Sequence, residues 1–210
     1  MSTQTDGRSA RASQKREHRR REILQAARRV FGERGYHRTH VSDLIEAAGI
    51  ARGTFYLYFE SKDAVFHELL DELLGELRAS IVGVDTEDGA APVQTQLVET
   101  VRKLLGKVVD NRLLTTIIVR EAVGLDEEVD RRLQSFYSEL LDYIRRALEK
   151  GKRMGIVRDV DTNVAAFCVL GTIKQLMEQL VLNEDSEFGS VEEVATNVLD
   201  FNLRGVLRRD

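Results

Sequence analysis

Residues 39–62 read THVSDLIEAAGIARGTFYLYFESK, and this stretch decides the fold. Val41, Leu44 and Ile45 recur at helical spacing, an inward stripe for a short helix that Thr39 caps and that runs to about Ala48. Gly49 breaks that helix, because glycine takes the left-handed conformation at little cost. A second short helix follows over about Ala51 to Leu57. Two short helices joined by a tight glycine turn are the parts of a helix-turn-helix. Leu44, Ala47, Ile50 and Phe55 are spaced to close a small core that fixes the second helix across the first.

That packing leaves Arg52, Gly53, Thr54 and Tyr56 on the exposed start of the second helix. Such a helix enters the major groove of DNA with its N-terminal residues at the base edges. Gly53 and Thr54 are small enough for close approach, and Arg52 can pair a guanine edge or a phosphate. Thr39, His40, Ser42, Tyr56, Tyr58 and Lys62 are donors suited to fixing the register on phosphates, and Lys62 opens a helix whose N-terminus itself favours anions.

Working outward, Ile23, Ala27, Val30 and Phe31 form the apolar stripe of a first helix, which begins at about Glu17 and stops at Gly35. Ser61 caps a long fourth helix carrying Leu69, Leu70, Leu73, Leu74 and Leu77. Pro92 suits the first turn of a fifth helix running to about Val109. A sixth covers Leu113–Val123 and ends near Gly124. Asp126 caps a seventh, reaching about Arg153, and an unusually apolar eighth spans about Thr162–Leu182. Ser190 with Glu193 makes the capping box of a ninth. The prediction is an all-α chain of nine helices without a sheet. It divides into a disordered basic arm (1–16), a helix-turn-helix head (17–60) and a ligand-binding and dimerisation body (61–210).

Charge supports the division. Residues 1–64 hold 13 Lys and Arg against 8 Asp and Glu, while the other 146 residues hold 18 against 27. A basic head on an acidic body suits a protein that presents one end to a polyanion. The arm's Arg8, Arg11, Lys15, Arg16 and Arg19 to Arg21 suit minor-groove or phosphate contact. The start has no apolar stretch of the kind a secretory signal needs, and no uncharged apolar run is long enough to span a bilayer. With a single cysteine, Cys168, these features predict a soluble cytoplasmic protein.

The stretch from Ile23 to Ala64, with AARRVFGERGY, TxVxDLIEAAGI and RGTFYLYFESKDAV, resembles the DNA-binding head of the TetR family. The resemblance implies a homodimeric repressor that binds near-palindromic operator DNA and is released by a small hydrophobic inducer. It places Arg52, Gly53 and Thr54 at bases, and Thr39, His40, Tyr56 and Lys62 at the backbone. His40 stands where the family commonly has Thr, and Ala51 where Ser is common. Residues 120–157 resemble bodies of family members that answer to fatty acyl-CoA or to efflux substrates.

In that family the last two helices of each subunit build a four-helix dimer interface, for which Val169, Ile173, Leu176, Leu180, Val194, Val198 and Phe201 are the candidates. The inducer cavity lies between the middle helices of the body. Its candidates are Leu104, Val108, Ile117, Ile118, Phe136, Tyr137, Leu140, Tyr143, Phe167 and Leu170, with Arg120, Glu121 and Gln175 as polar anchors. Such a lining suits an acyl chain or a flat hydrophobic molecule.

Other classes leave less trace. The chain lacks the phosphate-binding, dinucleotide-binding, zinc-protease and nucleophile-elbow motifs, so no enzyme activity and no cofactor are expected. His37 and His40 straddle a helix start instead of sharing a helix face, so no metal site is expected. The alternative is a helix-turn-helix protein of DNA binding or interaction with no small-molecule inducer.

Overall fold

The computed structural model describes residues 3–122, 125–183 and 188–206. In order they form α1 (Thr3–Arg34), α2 (Val41–Ala48), α3 (Arg52–Tyr56), α4 (Lys62–Ser80), α5 (Val93–Asp110), α6 (Arg112–Ile117), a π-helical turn (Ile118–Ala122), α7 (Glu127–Arg153), α8 (Thr162–Leu182) and α9 (Val191–Val206). Among the described residues there is no strand, and the all-α expectation holds. The expected end of the sixth helix near Gly124 lies outside the described residues.

The chain divides into two compact units, Met1–Glu72 and Leu73–Asp210. Sequence reading put the boundary at residue 61. The first turns of α4 go with the head because Val65, Phe66, Leu69 and Leu70 are fully buried there. Phe66 meets Phe31 edge-on at 6.0 Å and Tyr36 at 4.9 Å, so α1, α4 and the turn after α1 share one aromatic cluster.

Two expectations about the head are corrected. The helix begins at Thr3, not Glu17. Residues 3–16 have no apolar period, but their Ala, Gln, Arg and Lys are good helix formers and extend a helix already nucleated downstream. Thr39 does not cap α2: it is buried, and its hydroxyl donates to the Gly35 carbonyl at 2.8 Å. His40 takes the cap position, its backbone N–H donating to Asp43 Oδ2 at 2.7 Å. That bond first, and then Arg34 at 2.9 Å, hold the Asp43 carboxyl below its ordinary pKa. The other predicted caps form: Ser61 Oγ accepts from Ala64, Asp126 from Val129 and Ser190 Oγ from Glu193.

In the second unit α5 packs on α8 and α9 through Val101, Leu105, Leu180, Val194, Ala195, Val198 and Leu199. A smaller cluster of Leu148, Ala165 and Ala166 joins α7 to the start of α8. No uncharged run of spanning length occurs, as expected, although one helix among the described residues, α8, is long and apolar enough to cross a membrane by length and composition when two charges are allowed. It carries Lys174 and Glu178, which pair with each other at 3.0 Å.

Candidate nucleic-acid interface and ligand cavity

The turn between α2 and α3 is built as a helix-turn-helix requires. Gly49 sits at φ 62°, the left-handed region, and ends α2. Its N–H donates to Glu46 O at 3.1 Å and that of Ile50 to Ile45 O at 3.3 Å, closing the last turn of the helix. Leu44 and Phe55 are fully buried and hold α3 across α2, while Ala47 and Ile50 are half-buried beside them.

On the outer side, Arg52, Gly53 and Tyr56 are exposed and Thr54 is half-exposed. The Arg52 guanidinium stacks over the Tyr56 ring at 5.9 Å, which presents both at the same end of the helix. No Cβ placed on Gly53 would meet an atom within 4 Å, so its surface is open to close approach. His40 and Ser42 are exposed at the start of α2.

Of the remaining predicted backbone contacts, the side chains of Thr39 and Lys62 are engaged inside the head. Thr39 is buried, as described above. Lys62 Nζ donates to the carbonyls of Tyr36 and Thr39 at 3.0 and 3.1 Å, which ties α4 to the turn after α1 and leaves one N–H. Tyr58 is half-buried, and its carbonyl accepts from Arg20. These residues shape the head's surface from beneath, a role that local spacing does not distinguish from outward contact.

The second unit holds a partly open cavity of about 290 Å³. Of the predicted lining, Leu104, Val108, Ile118, Phe136, Tyr137, Leu140 and Leu170 border it. Ile117, Arg120, Glu121, Tyr143, Phe167 and Gln175 do not. Ile117 is buried at the end of α6; beyond it the π-helical turn, with its extra residue per turn, leaves Ile118 and Val119 on the space and Arg120 exposed. Tyr143 turns away to donate its hydroxyl to Val82 O at 2.7 Å. Phe167 lies on the outer side of α8, 65% exposed, and Gln175 is on an exposed face of the same helix.

Sequence reasoning missed much of the wall. Leu73, Leu74 and Leu77 of α4, Leu105, Thr115, Leu133, Met177 and the polar Asp130, Gln134, Lys174 and Glu178 complete it. Burial pushes the Tyr137 phenol above its ordinary pKa, so it stays protonated in the wall. Lys174 lies over the Tyr137 ring at 5.6 Å, and its ion pair with Glu178 raises its pKa. The space is therefore apolar with one polar side.

Most of the predicted dimer face is corrected. Leu180, Val194 and Val198 are buried in the chain's own α5–α8–α9 core, Leu176 packs against it, and Ile173 borders the cavity. Val169 is half-buried, and of the predicted set only Phe201 is exposed, at 70%. The outward stripe of α8 is instead Val164, Phe167, Cys168, Gly171 and Gln175, at helical spacing one face away. The sequence shows that α8 is apolar on more than one face, and only packing settles which face turns inward.

An exposed helix-turn-helix on one unit and a largely apolar cavity in another define the class: an all-α helix-turn-helix DNA-binding protein with a separate helical body. The profile for bacterial regulatory proteins of the tetR family matches residues 23–69, and that for the tetracyclin repressor-like C-terminal domain matches residues 90–178. The chain belongs to the TetR family of transcriptional regulators. It is 28% identical over 191 residues to the HTH-type transcriptional regulator YdgC of Bacillus subtilis, covering 88% of this chain and 92% of that one. It is 26% identical over 186 residues to the fatty acid metabolism regulator protein of the same organism, covering 88% and 94%. The fold matches that of the fatty acid degradation regulator FadR from Bacillus halodurans at a TM-score of 0.69 and 24% identity, over 89% and 95% of the chains. These proteins are regulators and not enzymes.

Proposed function

We propose that the chain is a cytoplasmic homodimeric repressor whose two heads hold a near-palindromic operator and whose body releases it on binding a small hydrophobic ligand. The observation that carries the ligand half is the partly open cavity of about 290 Å³ with its leucine-rich wall. Its volume lies at the low end of small-molecule sites and gives room for about ten water-sized groups. The relative described as a fatty acid metabolism regulator favours an acyl chain as the first compound to try.

The second copy is supplied by the outward stripe of α8 with Phe201 of α9. Val164 at 60%, Phe167 at 65% and Phe201 at 70% exposure leave apolar surface on α8 and α9 that a second copy buries. A two-fold dimer presents two α3 helices to half-sites about 34–36 Å apart, one turn of DNA. Ligand in the cavity presses on Leu73, Leu74 and Leu77, which lie on the helix that begins in the head, and so changes the spacing of the heads. To empty the operator a ligand must favour the non-binding geometry by several kcal/mol.

Sedimentation of the full chain, alone and as Phe167→Arg, tests the assembly; a mobility shift with medium-chain fatty acids added tests the release. The reading expects a dimer that the substitution splits, and a shift that at least one chain length abolishes. A monomeric wild type, or an operator complex indifferent to every compound that enters the cavity, refutes it and leaves a regulator without an inducer.

A further inference from the structure

The geometry points to a second DNA-binding surface: the part of α1 ahead of the head's core is a basic helical rod that lies along the phosphates flanking the site read by α3. This rests on the DNA-binding reading of the head. The helix starts at Thr3, yet among the residues whose burial is described the first buried one is Ile23. At 1.5 Å per residue, Thr3 to Arg19 overhangs the core by about 25 Å.

Most of the head's described cations are engaged: Arg21, Arg29, Arg38 and Lys62 donate to backbone carbonyls, and Arg52 stacks on Tyr56. Arg19, Arg20, Arg28 and Arg34 each pair with a carboxylate: Glu22, Glu68, Glu72 and Asp43 respectively. Arg11, Lys15 and Arg16 are exposed and have no hydrogen bond or ion pair among the described residues. Arg11 and Lys15 stand four residues apart on one face, and Arg16 about 100° round from Lys15. The described residues from Arg11 to His18 are all exposed, without an apolar stripe for protein packing. A lone helix of this size is marginal in water, so a partner gains by holding it, and the free charge selects a polyanion.

Arg20 sets where the rod leaves the head. Its guanidinium lies 4.6 Å over the Phe59 ring, bonds Glu68 with Nε at 2.6 Å, and donates to Tyr58 O at 3.3 Å. The overhang therefore starts beside the end of α3, two residues along the chain from Tyr56. A helix about 10–12 Å across does not enter a minor groove about 6 Å wide, so the rod meets phosphates from outside, in contrast to a threaded arm.

The test uses a duplex selected by the wild-type protein from a random library, made in two lengths: with about one turn of flanking DNA on each side, or trimmed to the half-sites. Binding of the full chain and of the triple variant Arg11→Gln, Lys15→Gln, Arg16→Gln is followed across a salt series. Glutamine keeps the helix propensity and removes the charge. On the long duplex the variant's log–log salt slope is expected to be shallower by about 2.7 per protomer, about 0.9 for each lost phosphate contact. On the trimmed duplex the two proteins coincide, and both rank half-site base changes alike. Equal slopes on the long duplex overturn the proposal, as does a difference that survives trimming. Arg52→Ala run in parallel separates the two readings. If it alone loses base ranking while the triple variant matches wild type, only the rod falls. If the wild type selects no duplex, the DNA reading fails and takes the rod with it.

Discussion

The Lys62 ammonium lies 4.3 Å from the centre of the Tyr36 ring and donates to the Tyr36 carbonyl at 3.0 Å. A second donation, to Thr39 O, makes Lys62 a tie between the start of α4 and the approach to α2. Lys62→Met is expected to destabilise the head by about 2–3 kcal/mol, because two charge-assisted bonds are lost and two carbonyls are left without that donor. Denaturant unfolding measures the loss. If stability is unchanged and the DNA salt slope instead falls by about 1, Lys62 is a phosphate contact and the internal role is wrong.

Gly49 holds φ 62°, with open space where a Cβ would stand. Gly49→Ala therefore meets only backbone strain, and should cost about 1–2 kcal/mol in urea unfolding. Gly49→Asn should cost less, since Asn tolerates the left-handed region better. A neutral Gly49→Ala would mean that the turn does not hold this conformation.

Glu99 is held down to a pKa of about 2, first by its hydrogen bonds to Arg102 and then by Lys103. The folded value lies below the ordinary one of 4.5, so the contribution to stability is present above pH 4.5 and is lost as pH falls toward 2. The carboxylate is solvent-exposed, so this contribution is small and weakens with salt. Side-chain carbon NMR of Glu99 should show titration near 2, moving up toward the ordinary value in Arg102→Gln. A wild-type midpoint near 4.5 would show that the pair does not persist in solution.

Leu140 borders the cavity from α7. Leu140→Trp is expected to fill it and to abolish the fluorescence rise of 1-aminoanthracene, a neutral probe, while leaving DNA affinity intact. Equal uptake by the variant would place the probe elsewhere on the protein.

The head was legible in the sequence because its determinants are local. Gly49 marks the turn, and the stripes of α2 and α3 are short enough that spacing alone orients Phe55 inward and Arg52 outward. Thr39 is not the cap that spacing suggests, and the tie made by Lys62 is not visible in sequence, because their partners, Gly35 O and the Tyr36 and Thr39 carbonyls, are set by tertiary packing. In the body, α7 has one clear stripe, and Phe136, Tyr137 and Leu140 were placed at the cavity. α8 is apolar on several faces, so Ile173 and Phe167 exchanged the positions expected of them. The π-helical turn at Ile118–Ala122 shifts the register in a way that no 3.6-residue period contains.

The central claim is that Arg52 and Tyr56 on α3 read DNA. The direct measurement is binding of the purified chain to the DNA upstream of its own coding region, across a salt series, beside Arg52→Ala and Tyr56→Ala. The account predicts specific, dimeric, steeply salt-dependent binding by the wild type that both substitutions abolish. Binding that is insensitive to salt, or equally strong in both variants, would contradict it.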